Sequence, residues 1–169
     1  MNKKIITLRI ILTSLCCFMM VFIFSQSLQA GEDSAKTSAS VTDAVQQVAQ
    51  QIAPESFVAT ATGEDYDLLH AAVRMIAHYS EFALLGFLLC FCYFSYTRKR
   101  IWALAPLGVL VVVPILDESL QILVADRACE WLDVLYDFCG GVTGFGFALL
   151  LWTLGRYLYR VIRLRRKSV

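Results

Sequence analysis

Acidic residues are missing from long stretches of this chain. None precedes Glu32, none falls between Glu81 and Asp117, and none follows Asp137. Overall the charges nearly balance, with 14 acidic and 15 basic residues, so the gaps reflect position and not a shortage. Cysteines are few and badly placed for a disulfide framework. Cys16, Cys17, Cys90, Cys92 and Cys139 fall in apolar runs, where a thiol acts as a small apolar group, and Cys129 alone sits in a polar loop. No His-Glu-x-x-His metal motif occurs, and neither Ser80 nor Ser119 belongs to a nucleophile elbow. No cofactor is therefore expected and no metal is assigned, although His78 with carboxylates is chemically able to hold one. A soluble nucleic-acid-binding role is disfavoured, because the basic clusters flank apolar runs.

What is present is hydrophobic. Apolar residues make up 58% of the chain and the mean hydropathy is +0.62, above the range of soluble domains. Four apolar runs cover residues 5–24, 75–96, 101–125 and 131–154. Each is near the ~20 residues that a helix needs to cross ~30 Å of hydrocarbon. The sequence thus predicts an all-α, polytopic membrane protein: one domain over 1–169, forming a compact antiparallel four-helix transmembrane bundle. The expected spans are roughly 5–28, 74–97, 101–125 and 131–155, with an extracytoplasmic loop near 30–73. Basic residues collect at one end of these spans: Lys3, Lys4 and Arg9, then Arg98, Lys99 and Arg100, then Arg156, Arg160, Arg163, Arg165, Arg166 and Lys167. The positive-inside rule places that end, with both termini, in the cytoplasm.

The first run also has signal-peptide features, with a basic start, an apolar stretch over 10–24 and small residues at Ala30-Gly31. The residues alone leave cleavage or retention open. In the loop, 31–40 is rich in Ser, Thr, Ala and charge and is expected to be irregular. Val41, Val45, Val48 and Ile52 then recur at helical spacing, which predicts a short amphipathic helix closed before Pro54. Its apolar face would lie on the outer membrane interface or on the bundle. Glu64, Asp65 and Asp67 suit the N-terminus of a helix that continues into the second span.

Ionisable groups converge near the outward ends of three spans. Arg74, His78 and Glu81 make one stripe of the second. The third carries Asp117, Glu118 and Gln121, with Arg127 just beyond. On the fourth, Asp133, Asp137, Gly140 and Gly144 share a face. At 1.5 Å per residue, Glu81, Asp117 and Asp137 lie roughly 6–10 Å below the outer surface. A lone carboxylate there costs about 2.5 kcal/mol or more, so mutual pairing in a bundle interior or a wet outward cavity is expected. The catalytic candidates are His78, Glu81, Asp117, Glu118 and Asp137; Arg74, Gln121, Arg127 and Asp133 are ligand-binding candidates. Gly140-x-x-x-Gly144 is a helix-packing signal. The structural alternatives are a cap at Asp133, an interfacial anchor at Arg74, and polar glue between helices from Asp117, Glu118 and Gln121.

The ordered set Arg74-x-x-x-His78-Tyr79-x-Glu81, Asp117-Glu118-x-x-Gln121, Arg127 and Asp133-Val134-x-x-Asp137-x-x-Gly140 resembles the VanZ-like family of bacterial membrane proteins. Phe24-Ser25-Gln26-Ser27 is similar to the Ser/Gln-rich end of that family's first helix, and this favours a retained first span. Two positions depart from the family pattern: Met75 where a basic residue is common, and Ala125-Asp126 where Pro-Gly is. The resemblance implies a multi-pass protein of the bacterial cytoplasmic (inner) membrane with a cell-envelope role. It also implies a link to resistance to the glycopeptide teicoplanin, with which the founding member is associated. Three functions compete: binding of membrane lipids or a lipid-linked envelope precursor, membrane-embedded hydrolysis or group transfer, and proton-coupled transport. For the last, four helices make a small pathway, and an oligomer could supply a pore.

Overall fold

A computed structural model describes residues 3–97, 104–124 and 130–165. The predicted basic connection at 98–100, Arg127 and Cys129 lie outside the described residues. Helices make up 90% of what is described, with no strand among those residues, so the protein is all-helical. The elements are α1 (Lys3–Ser27), α2 (Gly31–Ile52), α3 (Phe57–Thr60), α4 (Glu64–Tyr96), α5 (Leu104–Gln121) and α6 (Trp131–Arg165). Three of them, α1, α4 and α6, are long and apolar enough to cross a membrane.

Local chemistry sets the helix ends. The chain turns into α4 at Gly63, whose φ of 59° is open to glycine and strained for other residues. Glu64, Asp65 and Asp67 fill the first turn and offset the dipole. α5 stops at Gln121, short of the expected 125. The next residues close a tight turn instead, with Leu123 N–H bonded to the Leu120 carbonyl (3.0 Å) and Val124 N–H to that of Gln121 (3.1 Å).

The stretch 31–40, expected to be irregular, is the first half of α2. Composition hid a good helix start. Glu32 and Asp33 occupy the first turn, Lys36 pairs with Glu32 at 2.7 Å, and the Thr37 hydroxyl folds back onto the Asp33 carbonyl at 3.0 Å. Polar tethers hold α2 to the start of α4 and to the α3 segment before it. Tyr66 OH donates to Asp43 Oδ1 (2.6 Å), and the amides of Gln46 and Gln50 donate to the Ala61 (2.8 Å) and Ala59 (3.2 Å) carbonyls. Most of the apolar face looks away: Val41, Val45, Val48 and Ile52 are all exposed, and Val41 also borders the cavity between α2 and α4.

The tightest helix pair joins α4 to α6, which run in the same direction. Three glycines make this close approach. A Cβ on Gly140 would collide with the Tyr79 carbonyl, one on Gly144 with that of Ala83, and one on Gly86 with that of Gly141. α1 packs on α4 and α5, and α5 on α6. One apolar cluster joins Met19 and Ile23 to Phe82, Leu85 and Val113; another joins Cys90, Leu110, Phe145 and Ala148. At the opposite end from the acidic groups, the Arg9 guanidinium sits 4.9 Å over the Tyr96 ring and donates to the Ser95 carbonyl at 2.9 Å. Large apolar side chains such as Phe18, Val21 and Leu150 cover the outer faces of these helices.

The glycine contacts predict a sharp positional contrast within α6. Gly144→Ala should lower detergent-state stability by about 1–3 kcal/mol. Gly146→Ala, which meets no neighbour, should change it little. Thermal melts of the two purified variants check this; equal melting points would mean that α4 and α6 are not in backbone contact.

Candidate functional site

Close α4–α6 contact fixes which polar groups face each other. Just above the Gly140–Tyr79 contact, Asp137 meets His78, with Oδ1 3.6 Å from Nδ1. One turn further, Asp133 Oδ2 lies 3.8 Å from Arg74 Nη2. The register that packs the glycines therefore also pairs an acidic stripe on α6 with a basic stripe on α4. α5 then brings in Asp117, and the end of α1 brings in Ser27, whose hydroxyl donates to Asp117 Oδ1. One ligand atom each from His78, Asp117 and Asp137 lies within 4.8 Å of the other two.

This centre is buried and under-bonded. Asp117, Asp137, Glu118 and Gln121 are each only 1% exposed. Asp117 Oδ2, both Asp137 oxygens, His78 Nδ1 and Gln121 Oε1 have no hydrogen bond. At 3.6 Å the His78–Asp137 approach is an ion-pair distance and too long for a hydrogen bond. Buried carboxylate oxygens normally have partners, so these open valences are chemically notable.

Beside the centre lies a cavity of about 180 Å³. Arg74, His78 and Glu81 of α4 form one wall. Gln26 and Gln29 come from the end of α1, and Ser34, Thr37 and Ser38 come from α2. His78 belongs to both places: it lines the cavity and its Nδ1 faces Asp137.

The structure separates the predicted residues into groups. His78, Asp117 and Asp137 converge, while Arg74 and Glu81 border the cavity with His78. Glu118 does something else. Its Oε1 accepts the Glu130 backbone N–H at 2.5 Å and its Oε2 accepts the Gln121 amide at 2.9 Å, so it ties the start of α6 to α5. Asp133 lies with Arg74 at the rim. Four contributors had no signal as chemistry in the sequence: Ser34, Thr37 and Ser38 on a stretch expected to be irregular, and Gly86 as the partner of Gly141.

Apolar helices of spanning length around an enclosed polar centre define a helical membrane protein with an internal polar site. The chain belongs to the VanZ/LLP1 family, whose model matches residues 12–152 of the 169. That match takes in every helix that supplies a group to the centre. No curated protein matches the chain, and no solved structure does.

The two bonds of Glu118 generate a test of its role. Glu118→Ala leaves a part-buried N–H and a buried amide without their acceptor and should cost about 1–3 kcal/mol in stability. Glu118→Gln keeps an acceptor for Glu130 and should stay within about 1 kcal/mol of wild type. Comparative melts in detergent decide it; an alanine variant as stable as the wild type would remove Glu118 from the scaffold.

Proposed function

We propose that this protein crosses the bacterial cytoplasmic membrane four times, with both termini in the cytoplasm, and binds a lipid-linked or amphiphilic envelope molecule in an outward-opening site. The observation that carries this reading is the cavity itself. It combines the charged groups of Arg74 and Glu81, hydroxyl and amide groups from Ser34, Thr37, Ser38, Gln26 and Gln29, and an apolar part from Val41, Val73 and Ala77. Such a wall suits a polar headgroup: arginine holds phosphate or carboxylate, and the neutral groups hold hydroxyls. The exposed valine face of α2 would lie in the outer membrane interface, next to the cavity that the same helix lines. A lipid could then enter sideways with its chain still in the bilayer.

The topology follows from charge and length. α5 is 18 residues, about 27 Å of helix, and serves as the fourth crossing beside α1, α4 and α6. The basic residues at 3–9 and 156–167 mark the cytoplasmic side. Family membership agrees with a role in glycopeptide resistance, teicoplanin included. A second reading, membrane-embedded hydrolysis or group transfer, draws on one observation: an imidazole shared between two buried carboxylates at the cavity wall.

Binding of a fluorescent long-chain lipid phosphate to the purified protein tests the first reading. Arg74→Ala and Arg127→Ala should each weaken it about 10- to 100-fold, the worth of a charge-assisted hydrogen bond. In cells, Asp137→Asn, Asp117→Asn and His78→Ala should remove any effect of the gene on envelope-antibiotic susceptibility at unchanged membrane abundance. Equal lipid binding by wild type and both arginine variants contradicts the binding role. Product appearing from the lipid probe favours the second reading.

A further inference from the structure

We propose that His78, Asp117 and Asp137 form a binding site for one divalent transition-metal ion, of the zinc or manganese class. The three residues come from three helices, α4, α5 and α6, so no linear motif announces them. Their donor atoms lie within 4.8 Å of one another. A triangle of that size puts its centre about 2.8 Å from each corner, against ~2.1 Å for a zinc–nitrogen or zinc–oxygen bond, so sub-ångström shifts suffice.

The open valences point the same way. Asp137, at 1% exposure, has neither oxygen hydrogen-bonded, and Asp117 has Oδ2 unbonded. His78 Nδ1 is likewise buried and unbonded. These are the atoms that the ion would take. Ser27 holds the other oxygen of Asp117, which fixes how that carboxylate is turned. Charge agrees as well. Two carboxylates in an apolar bundle need two positive charges close by, and Arg74, the described arginine that lines the cavity, is drawn to Asp133 and is 43% exposed. A divalent ion on two aspartates and a neutral imidazole leaves the centre uncharged.

Three protein ligands leave coordination positions open, as in catalytic sites and unlike closed structural ones. Because His78 also lines the cavity, an open position there would meet a phosphate or carboxylate oxygen of the bound headgroup. This last step rests on the binding role proposed above; the ion site does not.

The experiment uses the full chain in detergent, stripped with EDTA and dialysed, with no lipid added. Zinc and manganese are returned separately, and bound ion is counted by elemental analysis and, for manganese, by electron paramagnetic resonance. One ion per chain is expected, together with a higher melting temperature than the stripped protein. His78→Ala, Asp117→Asn and Asp137→Asn should each weaken binding about 100-fold or more. His70→Ala and Asp133→Asn, which remove a similar group outside the three, should change it little. No bound ion above the detergent blank, or equal loss in Asp133→Asn and Asp137→Asn, overturns the site. The wild-type count and melt need no variant to fold. Lipid phosphate binding is then compared with and without the ion. A fall in affinity on stripping supports the link to the headgroup, and unchanged affinity overturns that link while leaving the ion site standing.

Discussion

Asp117 and Asp137 are almost wholly buried between apolar helices, and much of the structure is arranged around that fact. An ionised carboxylate in hydrocarbon is expensive unless something compensates it locally. Compensation requires several helices to present polar groups at one level, and so requires those helices to be held in register. The glycine contacts provide the register. With Gly140 on Tyr79 and Gly144 on Ala83, α6 cannot slide against α4 without backbone collision, and His78 is held opposite Asp137. Glu118 provides a second constraint by tying Glu130 to α5. Apolar packing of Met19, Ile23, Phe82, Leu85 and Val113 seats α1 so that Ser27 reaches Asp117.

The same arrangement divides labour among groups that look alike in a list of charged residues. Glu118 has both oxygens committed to scaffold bonds. Asp133 and Arg74 face each other at the rim, where exposure makes their attraction weak. The inner set, His78, Asp117 and Asp137, keeps unspent bonding capacity beside the cavity that His78 lines. That is the difference between polar glue and a site: glue uses its donors and acceptors on itself.

The helical class, the apolar segments and the polar stripes were legible because each is a short-range pattern. A stripe of Arg74, His78 and Glu81 follows from 100° per residue alone. The face shared by Asp137, Gly140 and Gly144 follows in the same way. What stayed hidden depends on partners far apart in the chain. Nothing near Gly86 says that it meets Gly141. Nothing near Glu118 says that its acceptor capacity is filled by a backbone N–H twelve residues on. The first half of α2 departs from expectation for a different reason. The Ser, Thr and Ala content of 31–40 reads as loop, yet an acidic first turn, the Lys36–Glu32 pair and the Thr37 bond to the Asp33 carbonyl hold a helix there. Only as a helix does 31–40 place Ser34, Thr37 and Ser38 together on the cavity wall, and composition does not show that.

The central claim is that the cavity beside His78 opens to the outside and takes a ligand there. Single-cysteine labelling in intact cells tests it most directly. In a cysteine-free background, Thr37→Cys on the cavity wall is compared with Tyr159→Cys on the far part of α6, using a membrane-impermeant maleimide. The account predicts labelling at position 37, slowed by added long-chain lipid phosphate, and no labelling at 159 until the cells are opened. Labelling at 159 with protection at 37, or a rate at 37 that lipid phosphate does not change, would contradict it.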